Sequence, residues 1–329
     1  MRSSIIFIWA MTLIIGCEAP GQPSDPLKLV NTIPLDHVEG RIDHFGLDAG
    51  GQRLFMAALG NNTIEVIDLA AGKVVRHIKG LSTPQGVAFA PDSNRLAVAN
   101  DKDGSCRLYD GTSFEQVASI DLKDDADNIR YDASSRRFWV GYGDGGLAAI
   151  DAASGKQVAD VKLDGHPESF QLETSGKRIF VNVPGAGHVA VIDRQKAEVV
   201  AKWPIKGASA NFPMALDEAN HRLFVGCRQP AKLLVLDTES GKTIASLDIV
   251  GDTDDLWYDA TSKRIYVTGG EGRITVIGQS NVKTYTVIGQ VKTAPGARTS
   301  YFISQTHTLY VAVPHRGNQK AELRAFRAE

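Results

Sequence analysis

The stretch "GDTDDLWYD", residues 251–259, puts Asp252, Asp254 and Asp255 directly before an apolar run. Carboxylates that converge raise one another's pKa unless a cation or an arginine sits among them. Oxygen donors of the kind Asp43, Asp127, Glu168 and Asp254 supply suit a hard cation, Ca²⁺ or Mg²⁺. Such an ion could polarise an ester carbonyl and activate water, with His44 as a base, the chemistry of a metal-dependent hydrolase or lactonase. A second set, Arg228, Arg298, His315 and Arg316, suits a carboxylate or phosphate on a ligand. Several other chemistries have no footing. No GxSxG, CxxC or CxxCH occurs, so nucleophile-elbow hydrolysis, thiol metal ligation and c-type haem attachment lack their motifs. The glycines of "VGYGDGG" and "VTGGEG" open no helix and so are turns rather than phosphate loops.

What must position these residues is a repeat. A strand of alternating or continuous apolar residues led by arginine begins at Arg53, Arg95, Arg137, Arg178, Arg222 and Arg264, and returns without the arginine at Thr308. The spacing is near 42 residues throughout. Each unit adds an apolar strand about eight residues earlier, a third strand usually ending in Asp, and a fourth after an "SGK"-type turn. Four strands per unit of this length make a propeller blade. The expectation is an all-β, seven-bladed β-propeller with four antiparallel strands per blade. The last unit lacks a fourth strand, and "LKLVNTIPL" (27–35) fits that pattern at the other end of the chain, so it is expected to complete the last blade and close the ring.

"RIYVTGG" (264–270) with "VLDTESGKTIASL" (235–247) resembles the YVTN β-propeller family, and the resemblance extends over residues 27–327. It implies the fold and leaves function open, because propellers host binding modules and enzymes alike. The repeated Asp68, Asp110, Asp151, Asp193 and Asp237, and Asp48, Asp132, Asp217 and Asp259, look catalytic but each precedes a turn, where a carboxylate accepts backbone N–H bonds. The strand-two arginines are expected to pair with these turn carboxylates.

Function is expected where the repeat is broken. Counting ten and nine residues back from each strand-two marker gives Asp43–His44, Gln85–Gly86, Asp127–Asn128, Glu168–Ser169, Phe212–Pro213, Asp254–Asp255 and Arg298–Thr299. Seven-fold geometry should gather these around one channel mouth as an acidic, polar ring with Arg298 as its single cation. Loops on the same face are expected to add Arg228, His315 and Arg316. The ligand-binding candidates are therefore Asp43, His44, Gln85, Asp127, Asn128, Glu168, Asp254, Asp255, Arg298, Arg228, His315 and Arg316, with Asp43, Asp127, Glu168 and Asp254 as the metal candidates. His37, His44, His166 and His315 lie in separate regions, which argues against a soft-metal site.

The chain of 329 residues carries 43% hydrophobic residues and a net charge of −2, so it is globular, with no bulk attraction to nucleic acid. "IIFIWAMTLII" (5–15) is an apolar stretch too short for a comfortable membrane span, and Ile14-Ile15-Gly16-Cys17 resembles a bacterial lipobox. The expected organisation is a lipoprotein signal peptide over 1–16, lipidation at Cys17, a flexible tether over 17–26 and the propeller over 27–329. That places the protein in the cell envelope, lipid-anchored on the periplasmic side of a membrane and monomeric. Its expected role is a scaffold binding a small ligand or an envelope protein, with the metal-assisted hydrolase as the alternative. Cys106 and Cys227 fall in different units and are expected to be free, buried thiols.

Overall fold

A computed structural model describes residues 25–328. Cys17, the signal segment and most of the tether expected over 17–26 lie outside the described residues. Seven four-stranded antiparallel sheets follow one another along the chain. The first blade is formed by Phe45–Leu47, Arg53–Ala58, Thr63–Asp68 and Lys73–Ile78, each strand paired with the next. Among the described residues, helix is confined to four three-residue 3-10 turns, and none is long and apolar enough to cross a membrane.

The sequence pattern of the strands explains the architecture. Leu54, Phe55, Met56, Ala57 and Ala58 are all inaccessible to solvent, although successive strand residues point to opposite faces. Both faces must therefore be covered. Leu54, Met56 and Ala58 pack into the cluster shared with the seventh blade, and Phe55 and Ala57 into the cluster shared with the second. Outer strands such as Lys73–Ile78 bury little and carry charge. Among the described residues there are seven apolar clusters, one for each blade interface, and together they close a ring.

Closure runs through the leading segment. Leu27–Pro34 pairs antiparallel with Glu322–Ala328, from Leu27 opposite Ala328 to Pro34 opposite Glu322. A bulge between Leu29 and Asn31 shifts the register, and the two ends of the strand serve different interfaces. Leu27 packs with Tyr266, Ile274 and Phe302 between blades six and seven, while Ile33 packs with Leu54, Met56 and Leu323 between blades seven and one.

The repeated carboxylates are structural. Asp48 Oδ1 accepts N–H bonds from Gln52 at 2.8 Å and Arg53 at 3.0 Å, and Asp110 Oδ1 accepts from Thr112 and Ser113. Four of the strand-two arginines pair with such turn carboxylates: Arg53 with Asp48, Arg95 with Asp110, Arg178 with Glu173 and Arg222 with Asp237. Arg264 instead donates to the Pro26 carbonyl. Cys106 and Cys227 are free and buried, and burial pushes both thiols up to about 12.

Candidate binding site at the channel mouth

The first strand of each blade lines the central channel, and the chain entering that strand forms the mouth. All seven residues counted ten back from the strand-two markers, Asp43, Gln85, Asp127, Glu168, Phe212, Asp254 and Arg298, line one cavity of about 350 Å³. Arg41, His44, Asp101, Asp125, His166 and Arg228 complete its wall. His315 and Arg316 do not reach it. His315 pairs with Glu39 at 2.7 Å, and Arg316 is held in a bridge to Gln319 and crowds Gly296.

Charge is not evenly spread around the mouth. Arg298 is the one arginine of the counted ring, and Arg228, expected beside it, lines the same cavity together with Arg41. Asp254 is clamped between Arg298, whose Nε lies 2.9 Å from Oδ2, and Arg228, whose Nη2 donates to Oδ1. Arg298 also donates to Asp252 at 3.1 Å, and Arg228 to the Thr253 carbonyl at 2.8 Å while stacking 3.7 Å from the Phe212 ring centre. Arg41 donates to Asp43 at 2.6 Å. The arginines are thus committed to Asp43, Asp252 and Asp254. Across the opening, Asp101, Asp125, Asp127 and Glu168 pair with no arginine among the described residues; Asp101 accepts from Thr83 Oγ1 and Asp125 from Gln85 Nε2, both at 3.2 Å. His166 lies 3.5 Å from Asp125 and 3.7 Å from Asp127.

Burial and crowding on this arc set the protonation states. Burial, reinforced by Asp127, lifts Glu168 to about 8. Burial, with Asp127 and Asp101, lifts Asp125 to about 6 against the pull of His166. Burial would also raise Asp127, but His166, His44 and Arg41 hold it below the usual carboxylate range. For His166, burial favours the neutral ring, yet Asp127, the Gly143 carbonyl and Asp125 lift it to about 9.

His44 sits beneath the mouth. Its Nδ1 lies 3.5 Å from Asp255, and its Nε2 lies 3.5 Å from Asp43, 3.9 Å from Asp127 and 3.3 Å from the Asn128 amide. Burial favours the neutral ring, but Asp255, Asp43 and Asp127 overcome it and lift His44 to about 10. A ring carrying both protons cannot serve as a general base, which removes the role expected for it in the hydrolase alternative. Both ring nitrogens then donate, so Asn128 must present its oxygen to Nε2. That orientation also gives a partner to Asn128 Oδ1, which is otherwise buried without one. Asn128 and Asp255 therefore stand one layer below the opening, where Asp255 also accepts the Ser300 N–H at 2.7 Å.

Below His44 the channel opens again into a chamber of about 260 Å³ that includes Arg130, Gln171, Trp257 and Tyr301. These residues follow the mouth residues of their own blades by three positions, as do Gly46 and Ala88. The same count extended by three would have found this ring. The odd offset arises from bulges at the start of strand one, for example between Ala126 and Ile129 and between Thr253 and Asp255. Asp125 gives no signal in the repeat, because it precedes the counted position within "KDDADN".

No protein-family model matches the chain. The chain is 29% identical over 110 residues to the "Uncharacterized protein YncE" of Salmonella typhi, a match covering 33% of this chain and 30% of that protein. The aligned stretch is thus under a third of the relative's length. Solved structures share the architecture over nearly the whole chain. Hydrazine synthase of Kuenenia stuttgartiensis aligns with a TM-score of 0.77 at 17% identity, covering 89% of this chain and 97% of that one. A chain of the mitotic checkpoint complex aligns with a TM-score of 0.79 at 11% identity, covering 98% and 99%. The RRP9 WD40 repeats align with a TM-score of 0.78 at 10% identity, covering 93% and 98%. The chain is a seven-bladed β-propeller. At such identities the likeness establishes fold and no more.

Proposed function

We propose that the protein is a YVTN-type propeller tethered in the cell envelope through a lipid on Cys17, and that its channel mouth binds a small ligand through a cationic group. One observation carries the ligand class: the arc Asp101, Asp125, Asp127 and Glu168 has no arginine, while Arg41, Arg228 and Arg298 are already committed to other carboxylates. An ammonium entering the cavity replaces lost hydration with several carboxylate oxygens at once. Phe212, capped by Arg228, and Gln85, whose Nε2 reaches Asp125 at 3.2 Å, flank that arc and limit the size of the guest. The tether rests on the short apolar segment ending in Gly16-Cys17.

Thermal-shift and calorimetric titrations with putrescine, agmatine and lysine, against acetate and succinate as anionic probes, test this reading. Ligand that binds only the folded chain raises the melting temperature with concentration. Amines are expected to stabilise the protein, and Asp125→Asn together with Asp101→Asn to weaken the effect. Stabilisation by the anions alone would reverse the assignment.

A further inference from the structure

Within the acidic arc, three side chains form a ligand set of mixed chemistry. Asp127, His166 and Glu168 each bring one donor atom into a group whose members all lie within 4.8 Å of one another. Ligands bonded to one ion at about 2.0–2.2 Å in a tetrahedral site stand about 3.3–3.6 Å apart, so the widest pair of the trio would close by up to about 1.5 Å on binding. His166 Nε2 stands 3.7 Å from Asp127 Oδ2, too far for a hydrogen bond and suitable for two ligands with an ion between them.

Two further observations distinguish this trio from a plain group of acids. The first concerns Asp127, which is 94% buried (6% exposed): Oδ2 faces His166, and Oδ1, 3.9 Å from His44 Nε2, lacks any hydrogen-bond partner among the described residues. A buried carboxylate oxygen left unpaired costs free energy unless something else satisfies the group. The second concerns His166. Its Nδ1 lies 2.8 Å from the Gly143 carbonyl and 3.5 Å from Asp125. A carbonyl can only accept, so Nδ1 keeps a proton, and an ion would displace the proton from Nε2, the nitrogen facing Asp127. An outer carbonyl or carboxylate that fixes the tautomer in this way is the usual support of a metal-ligating histidine.

We infer that Asp127, Glu168 and His166 Nε2 bind a divalent first-row transition ion, of which Zn²⁺ and Mn²⁺ are the working probes, with its remaining positions open to the mouth cavity. The donor set departs from the Ca²⁺ or Mg²⁺ site expected from sequence in two ways. It contains an imidazole, and it offers only two carboxylates where Ca²⁺ takes six to eight oxygens. Asp43 and Asp254, the other two residues of the expected set, are held by arginines. Three protein ligands with an open side match a site that keeps a water or accepts a ligand atom. This inference rests on the mouth being a receptor for positive charge, and it specifies the ion and its holders.

The test uses the purified full-length chain, stripped with a chelator and titrated calorimetrically with ZnCl₂, MnCl₂, CaCl₂ and MgCl₂. Elemental analysis provides the stoichiometry and Co²⁺ absorption the ligand field. One transition ion per chain is expected, with Ca²⁺ and Mg²⁺ binding at least tenfold more weakly. His166→Ala and Glu168→Gln should each weaken binding tenfold or more, while circular dichroism confirms the fold. His77→Ala, a histidine beside Glu65 and away from the mouth, should bind as wild type. Wild type that takes up no stoichiometric ion overturns the inference, as does undiminished binding by folded His166→Ala and Glu168→Gln. If amines bind and the ions do not, the ion site falls and the cationic-ligand reading stands. If neither binds, both fall.

Discussion

Replacing Asp255 by Asn tests the charge layer on which the mouth rests. The substitution keeps the shape and leaves an oxygen to accept the Ser300 N–H, but it removes the nearest charge on His44 Nδ1. In the fold His44 holds its proton to about 10, against 6.5 for a free imidazole. A group whose pKa is raised on folding adds stability that is fully present below about pH 6.5 and is lost as pH climbs through about 10. At pH 7 the gap is about three units, or about 4 kcal/mol at about 1.4 kcal/mol per unit. Breaking a buried pair costs about 3–5 kcal/mol in general, but here the loss is capped near 4 because His44 can shed its proton instead. The expected loss at pH 7 is about 2–4 kcal/mol. At about 2 °C per kcal/mol for a chain of this size, the melting temperature falls by about 4–8 °C. Scanning calorimetry of both proteins at pH 6, 7 and 10 measures it. NMR titration of the His44 ring follows the proton directly. By pH 10 the difference should shrink below about 1 kcal/mol, because His44 is then half neutral in the wild type too. A loss as large at pH 10 as at pH 7, or a wild-type His44 that titrates near 6.5, would refute the reasoning.

Other consequences are simpler to check. Ile33→Ala removes a fully buried side chain from the closing strand and should cost about 2–5 kcal/mol, read as a lowered melting temperature; an unchanged one would contradict closure by this segment. Cys106 and Cys227, with thiols pushed up to about 12, should stay unreactive to a thiol reagent in the native protein and react on denaturation; rapid native modification would place them at the surface. Cys17→Ser should move the protein from membrane to soluble fractions, and a mutant retained with membranes would reject the lipid anchor. Arg298→Gln should leave Asp254 with Arg228 alone and weaken its salt-resistant hold on the mouth, measured as a melting temperature that becomes more sensitive to ionic strength than the wild type's.

The fold was legible in the sequence because a blade is a local unit and repeats it visibly. The arginine-led strands, the turn carboxylates and the spare leading strand each leave a mark within about 42 residues, and cyclic geometry does the rest. That is also why the seven counted residues, from Asp43 to Arg298, could be gathered in advance: equal spacing along the chain becomes equal angle around a channel. What the count could not supply was pairing. Whether Asp254 is free or clamped depends on Arg228, which comes from the end of strand two of the neighbouring blade. Whether His44 is a base or a fixed cation depends on Asp255 and Asp127, brought to it from residues more than 80 positions away. His166 stands apart from the other histidines in sequence, and only the fold turns its Nε2 toward Asp127 while Gly143 holds the other nitrogen. Periodicity is a property of the chain and can be read from it. Charge balance in a cavity depends on distances of a few ångströms between side chains from different blades, and those are set only when the ring closes.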